Sequence, residues 1–188
     1  IETSHSPSQA SSQDVARRVL GIEMQGLAML RDSLTETFDD VVTLLLQVQG
    51  RIILTGIGKS GHIAHKIAAT LASTGSPAFF VHAAEANHGD LGMVRDGDAI
   101  MALSESGESS ELAGVLQYAA DNAIPVVGIT RNPLSTLARA STHVLRLPPA
   151  EPACPLRLAP TTSTTMMLAL GDALAIALLE TRGFTADH

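Results

Sequence analysis

The sequence of 188 residues is long enough for one ordinary domain with a full core, and 45% of its residues are hydrophobic. Its formal net charge of −7 argues against nucleic acid or an anionic membrane as the main partner. A single cysteine, Cys154, excludes a disulfide within the chain and fits a reducing compartment. We therefore expect a soluble, cytoplasmic protein.

Helical and strand-like segments follow an opening tail. Residues 1–12 contain five serines and are predicted to form a flexible tail, and 13–188 a single domain. From residue 14 to 49, apolar residues recur at three- and four-residue steps, which predicts two consecutive helices. The predicted strands are 51–55, 78–82, 99–104, 125–130 and 143–147, and the helices among them are 60–74, 110–123 and 161–183.

Continuous apolar strands separated by helices are typical of a parallel sheet covered on both faces. We predict an α/β fold with three αβα layers and a flavodoxin-like strand order, 2-1-3-4-5. The loops after the first and third strands then face each other across a crevice. The helix 161–183 is apolar almost all round, which favours burial in an oligomer. Asp172 interrupts it, leaving an apolar run shorter than a membrane span needs.

The loop TGIGKSG, residues 55–61, follows the first predicted strand and is typical of a phosphate site. A nucleotide P-loop is excluded, because that motif requires glycine at the position of Ile53. The spacing of the glycines also matches the dinucleotide fingerprint G-x-G-x-x-G. That match is a weak signal, because the next strand ends in His82 and not in the acid that binds ribose.

A second loop, SESGESSE, follows the third predicted strand, where Ser104, Ser106, Ser109 and Ser110 surround Gly107 at the start of a helix. A helix N-terminus offers free N–H groups and the positive end of a dipole, and serine hydroxyls add neutral donors. Together they predict a cradle for one phosphate monoester. The alternative is that Ser109 or Ser110 caps the helix, and we expect that at least one does.

Four segments spanning most of residues 50–180 carry a resemblance to a known family. They are GIGKSGHIAHKIAATLASTG, FFVHAAEANHGDLGM, SESGESSE and CPLRLAPTTSTT…LGDALAIALL. In combination they resemble the sugar isomerase (SIS) domain of arabinose 5-phosphate isomerases. The resemblance implies interconversion of D-ribulose 5-phosphate and D-arabinose 5-phosphate through an enediol, for synthesis of the lipopolysaccharide sugar Kdo. It also implies a homotetramer that binds a small sugar phosphate and uses no organic cofactor.

The motif match places family roles on eight residues. Those at catalytic positions are Lys59, His88 and Glu111, and those at or beside phosphate-binding positions are Gly58, Ser60, Ser104, Ser106 and Ser109. Aldose–ketose exchange needs a base, a proton shuttle and a charge that stabilises the enediolate. We assign these roles to Glu111, His88 and Lys59, in that order.

Each catalytic assignment has an alternative explanation. Glu111 is also the kind of first-turn acid that the helix dipole favours, and Lys59 can simply neutralise the phosphate. His88 can be a structural histidine in a tight turn marked by two glycines.

The chain departs from the family pattern in two places. The family has a glutamate at the position of Pro152, and either Glu151 replaces it in binding substrate or one acidic role is absent. The family also continues past the position of His188, usually into regulatory CBS domains, so we expect an isolated SIS domain. The rival interpretations are a sugar-phosphate sensor without turnover and an isomerase for another sugar, such as a heptose phosphate.

A metal site is the remaining candidate. His82, Glu85 and His88 are spaced by three, which on a helix gathers ligands on one side. Two glycines follow at once, however, and the resemblance implies enediol chemistry, so we predict no required metal. His62 and His65, one helical turn apart, are predicted to be ordinary helix-face residues.

Overall fold

The fold is built on a parallel sheet within residues 10–183, the part of the chain that the computed structural model describes. Its five strands are Ile52–Gly56 (β1), Ala78–His82 (β2), Ala99–Leu103 (β3), Val126–Thr130 (β4) and His143–Arg146 (β5). They lie in the order β2-β1-β3-β4-β5, with every neighbouring pair parallel, which confirms the predicted topology.

Seven α-helices accompany the sheet in the described part of the chain. They are Ser12–Asp32 (α1), Glu36–Gln47 (α2), Gly58–Ser73 (α3), Ala83–Ala86 (α4), Leu112–Asp121 (α5), Thr136–Ala140 (α6) and Thr162–Arg182 (α7). Two helices were predicted within residues 14–49 without a boundary between them, and the bounds predicted for α3, α5 and α7 agree to within a few residues. Helices α4 and α6 were not predicted, because helices of four and five residues are too short to show a periodic pattern.

The predicted N-terminal tail is described only in part. Residues 1–9 lie outside the described residues, and α1 begins within the predicted tail, at Ser12. Its N-cap, Ser11, accepts a hydrogen bond from the backbone N–H of Asp14, as serines at the start of a helix usually do.

Two hydrophobic clusters lie on opposite faces of the sheet and make three layers. Successive residues of β1 alternate between them, since strand side chains point to opposite faces. Leu54 packs in the cluster that joins α1, α2, α3 and α7, and Ile53 packs in the cluster under α4, α5 and α6. Both are almost fully buried, and each such side chain contributes about 1.5–3 kcal/mol of transfer free energy.

Helix α7 packs against α1, α2 and α3, and eight of its residues are buried. Its contact with α3 is close at Gly171, where an added Cβ would lie 2.4 Å from the side chain of Ile67. Burial is not complete, because Ile176 remains 47% exposed on the outer side. The helix is long and apolar enough to cross a membrane, so the expectation that Asp172 leaves too short an apolar run is wrong, but a core helix passes the same test.

Two buried threonines, one near the end of β1 and one at the end of β4, differ in whether their hydroxyl groups have a hydrogen-bond partner. Thr55 Oγ1 has no hydrogen-bond partner among residues 10–183, whereas Thr130 Oγ1 donates to the carbonyl of Glu105 at 3.1 Å. Because an unsatisfied buried hydroxyl is destabilising, Thr55→Val is expected to raise the free energy of unfolding by about 1 kcal/mol. The matched Thr130→Val is expected to lower it by about 1 kcal/mol.

Urea denaturation of the two variants measures both changes. A loss of stability in Thr55→Val would contradict the prediction and indicate that the hydroxyl has a partner, such as a buried water.

Candidate active site

The glycines after β1 allow a close approach between backbones. Gly56 lies beside Leu103 of β3, and a Cβ on Gly56 would be 3.0 Å from the Leu103 carbonyl oxygen. A Cβ on Gly61 would be 2.9 Å from the Gly56 carbonyl oxygen. The loops after β1 and β3 therefore begin side by side at the carboxyl edge of the sheet, which is the predicted crevice.

Lys59 and Ser60 lie in the first turn of α3, directly above this edge. Lys59 is exposed and Ser60 half-buried. The N-cap, Ile57, has no side-chain hydrogen bond to the helix, so the first N–H groups of α3 are available to an anion. Gly58 adopts φ +55°, a left-handed conformation that starts the helix with a sharp turn.

The serine loop, residues 104–111, is curled by its own hydrogen bonds. Ser104 is buried, and its Oγ lies 2.9 Å from the Oγ of Ser109. The Ser104 Oγ also accepts from the N–H of Gly107 at 3.1 Å, and Gly107 adopts φ +70°. Ser106 Oγ accepts a hydrogen bond from the backbone N–H of Glu108 at 3.2 Å. The three serines assigned to phosphate binding therefore belong to one compact loop.

Neither Ser109 nor Ser110 caps α5 with its side chain, so the expectation that at least one of them does is wrong. Ser109 is paired with Ser104, and the Ser110 hydroxyl donates to the Glu111 carboxylate at 3.2 Å. Glu111 itself occupies the N-cap position and makes no side-chain bond to the helix. The N–H groups of Leu112 and Ala113 at the start of α5 donate to the carbonyls of Ser109 and Ser110, both at 3.1 Å, so the helix start offers an anion mainly the positive end of its dipole.

Asn87 joins the segment that carries His88 to the start of α5. Its Nδ2 donates to the carbonyl of Glu111 at 3.0 Å and to that of Ala83 at 3.2 Å. Its amide lies against Gly114, where an added Cβ would be 1.8 Å from Asn87 Oδ1. Exposed His88 is therefore held next to the helix that begins after Glu111. Sequence reasoning missed Asn87, whose one signal was its place beside the candidate histidine.

A cavity of about 380 Å³ adjoins the serine loop at the same edge of the sheet. Glu105 of the serine loop lines it, together with Arg131, Pro152 and Arg157. None of the eight residues matched to family site positions lines it, so it lies beside the predicted phosphate site and not within it. Glu151 faces away, along a separate cavity of about 250 Å³ against α1. The structure thus brings Pro152, and not Glu151, to the serine loop.

The three candidate metal ligands do not gather. Helix α4 is too short to place His82, Glu85 and His88 on one side, and residues 10–183 contain no group of three such side chains positioned for a metal. His65 is exposed on α3, as predicted, and its ring stacks on Phe80 at 5.2 Å between centroids.

Cys154 lies in a turn whose backbone N–H groups surround its sulfur. Hydrogen bonds from the N–H groups of Ala159, Leu158 and Leu156 lower the pKa of the Cys154 thiol. Because the thiolate is the nucleophile, alkylation by iodoacetamide is expected to reach half its maximal rate at a lower pH than for a cysteine peptide.

Mass spectrometry of protein alkylated at a series of pH values measures this midpoint, and the single cysteine makes the signal specific. Protein unfolded in urea is the control and should return to the peptide value. An equal or higher midpoint in the folded protein would show that these N–H groups do not stabilise the thiolate.

The strand order and the two helix N-termini beside a serine loop define an α/β domain with a candidate site for a small phosphorylated ligand at the carboxyl edge of its sheet. The family model of the SIS domain matches residues 45–177, and the chain belongs to this family.

Two curated proteins are similar to this chain over most of its length. The chain is 49% identical over 172 residues to the arabinose 5-phosphate isomerase KdsD of Pseudomonas aeruginosa, covering 92% of this chain and 53% of that protein. It is 50% identical over 167 residues to KdsD of Francisella tularensis, covering 87% and 51%. The chain thus spans about half the length of the curated relatives it matches.

A solved structure has nearly the same fold over the same extent. The structure of Escherichia coli CFT073 c3406 in complex with arabinose 5-phosphate superposes with a TM-score of 0.90 at 37% identity. The match covers 95% of this chain and 96% of that one. The predicted family and the predicted three-layer fold are both confirmed.

Proposed function

We propose that the chain is an isomerase domain that interconverts D-ribulose 5-phosphate and D-arabinose 5-phosphate through an enediol. The observation that carries the proposal is its similarity, over nearly its whole length, to the structure solved in complex with arabinose 5-phosphate. The names of the curated relatives support the same reaction. We further propose that the product serves Kdo and lipopolysaccharide synthesis in the cytoplasm.

The phosphate of the substrate is proposed to bind in the serine loop. Ser104, Ser106 and Ser109 supply hydroxyl donors, and the start of α5 supplies the positive end of its dipole. Such a site holds one phosphate without a cluster of basic residues, which suits a chain of net charge −7.

The reacting carbons then lie between the loops after β1 and β3. We assign the base to Glu111, the proton shuttle or ring opening to His88, and stabilisation of the enediolate to Lys59. The N–H groups of α3 at Gly58 and Ser60 add donors on the Lys59 side. The bond from Asn87 to the Glu111 carbonyl supports this grouping, because it ties the His88 segment to the base. No metal or organic cofactor is assigned a role.

A homotetramer remains our proposal for the assembly. Large apolar side chains are exposed on α1, at Leu20 and Met24, and on the segment after β5, at Leu156 and Leu158. Arg18 of α1 donates to the carbonyl of Ala153 at 3.4 Å, which places the two elements side by side. Exposed apolar surface of this kind favours association between copies.

Proton NMR of ribulose 5-phosphate in heavy water with the protein tests the reaction. An enediol exchanges the proton with solvent, so deuterium at C2 of an aldose 5-phosphate is expected. The configuration of that aldose identifies the sugar and separates this proposal from another phosphosugar isomerase. Binding without exchange would reject the enzyme and favour a sugar-phosphate sensor, for which the absence of a carboxylate at Pro152 is the specific argument.

A further inference from the structure

The cavity beside the serine loop contains charged side chains that the assignments above do not use. Its volume of about 380 Å³ lies within the range of small-molecule sites. Glu105, Arg131 and Arg157 are its charged lining residues, and most of the others are apolar. A few polar groups in an otherwise apolar cavity are what orient a small ligand.

Glu105 is firmly placed by its backbone. Its carbonyl oxygen accepts from the Thr130 hydroxyl at 3.1 Å and from the Arg131 N–H at 3.0 Å. It directly follows Ser104, one of the serines of the phosphate cradle. The backbone that carries the Glu105 carboxylate is therefore fixed within one residue of the cradle, and the residue lines the adjoining cavity.

The Glu105 carboxylate retains its capacity to accept hydrogen bonds. The Nε of Arg131 lies 3.8 Å from Glu105 Oε1, which is an ion pair but too long for a hydrogen bond. Among the described residues, no donor forms a hydrogen bond to either oxygen of this carboxylate. An ionised carboxylate has about four acceptor sites, and sugar hydroxyl groups are suitable donors.

The ion pair with Arg131 also reduces the repulsion between the Glu105 carboxylate and an anionic ligand. A lone carboxylate beside a phosphate would repel the ligand, and Arg131 offsets that charge without filling the acceptor sites. Arg157 has no ion-pair partner among residues 10–183, and it adds positive charge to the cavity. The cavity thus combines an acceptor for sugar hydroxyl groups, Glu105, with two arginines whose positive charge offsets the repulsion of an anionic sugar.

We propose that Glu105, held by Arg131, is a specificity-determining residue that accepts hydrogen bonds from hydroxyl groups of the bound sugar. The inference rests on the proposed function, because it takes the ligand of the serine loop to be a pentose phosphate. It assigns phosphate binding to the serines and discrimination between sugars to Glu105.

Isothermal titration calorimetry with arabinose 5-phosphate and lyxose 5-phosphate, which differ only at C3 and therefore away from the reacting carbons C1 and C2, tests the proposal. The wild-type protein is expected to prefer one epimer, and Glu105→Gln is expected to reduce that preference about tenfold, since a polar group built to pair with a hydroxyl discriminates by this much or more. Glu105→Asp, which keeps the charge but withdraws it by one methylene, is expected to reduce it as well. Arg131→Gln is expected to weaken binding of both epimers, because it leaves Glu105 facing the phosphate unpaired.

Glu108→Gln is the matched control. Glu108 belongs to the same loop, but its carboxylate accepts from the backbone N–H and the hydroxyl of Thr136 and does not line the cavity. It is expected to keep the wild-type preference. Folding of each variant is checked by its thermal unfolding midpoint, and Glu105→Asp serves if Glu105→Gln does not fold.

Two outcomes would overturn the inference: a wild-type protein without any preference, or folded Glu105 variants that retain the full preference. Because the readout is binding, its failure is separable from failure of the proposed reaction. A protein that prefers one epimer through Glu105 but exchanges no deuterium would leave this inference standing and reject the isomerase.

Discussion

Replacing Glu111 with glutamine is expected to lower kcat for ribulose 5-phosphate isomerisation by about 10²–10⁴-fold, the usual contribution of a positioned general base. Glutamine has nearly the same shape, so the carbonyl that accepts from Asn87 stays in place. Glu111 makes no side-chain bond to the helix it precedes, and stability should therefore change little. The KM should also stay close to the wild-type value, because the assigned phosphate ligands are other residues.

Steady-state kinetics with both substrates, together with urea denaturation, measures these effects. Glu108→Gln is the control, since it removes a carboxylate three residues earlier whose pKa is lowered by hydrogen bonds from Thr136. Its kcat is expected to remain within a few-fold of wild type. Near-normal turnover of Glu111→Gln would show that Glu111 is not the base, and His88 would then be the next residue to test.

Gly107→Ala is expected to disrupt the phosphate cradle and to destabilise the fold by about 3 kcal/mol. The new Cβ would lie 2.1 Å from Ser135 Oγ and 2.4 Å from Ser135 Cβ. Ser135 is fully buried and caps α6 through the N–H of Ala138, so it has little freedom to move. The loop must then shift, and the bond from the Gly107 N–H to Ser104 is the first to be lost.

The expected kinetic result is a rise in KM of about tenfold or more, because the donors proposed to hold the phosphate lose their arrangement. Gly183→Ala separates this steric effect from backbone strain. Gly183 also has a positive φ, +64°, but an added Cβ there meets no atom within 4 Å. Its substitution should cost about 1 kcal/mol and leave KM unchanged. Equal effects of the two substitutions on KM would contradict the proposed cradle.

Much of the fold was predictable because the strands are short, apolar and separated by well-marked helices. The residues of β1, β3 and β4 are buried throughout, and this is the pattern that indicates a sheet covered on both faces. The serine loop was also predictable, since its residue types and its place after a strand suit phosphate binding. What the serines do was not, because Ser109 bonds to Ser104 instead of capping α5.

The remaining features of the site depend on how irregular segments turn, which periodicity does not encode. Glu151 and Pro152 are neighbours in sequence, yet they line different cavities. Arg131 follows β4, 26 residues after Glu105, and the two meet only because β3 and β4 end side by side. Short helices such as α4, which positions Asn87, lie below the length at which a pattern can be detected.

The contact between Asn87 and Gly114 has an evolutionary consequence. The amide at position 87 occupies the space that any side chain at position 114 would need, at 1.8 Å from its Cβ. A relative with alanine or a larger residue at 114 is therefore expected to have lost the asparagine at 87. The two positions should change together in SIS domains, and chains that have made the change must fix the His88 segment to α5 by some other contact.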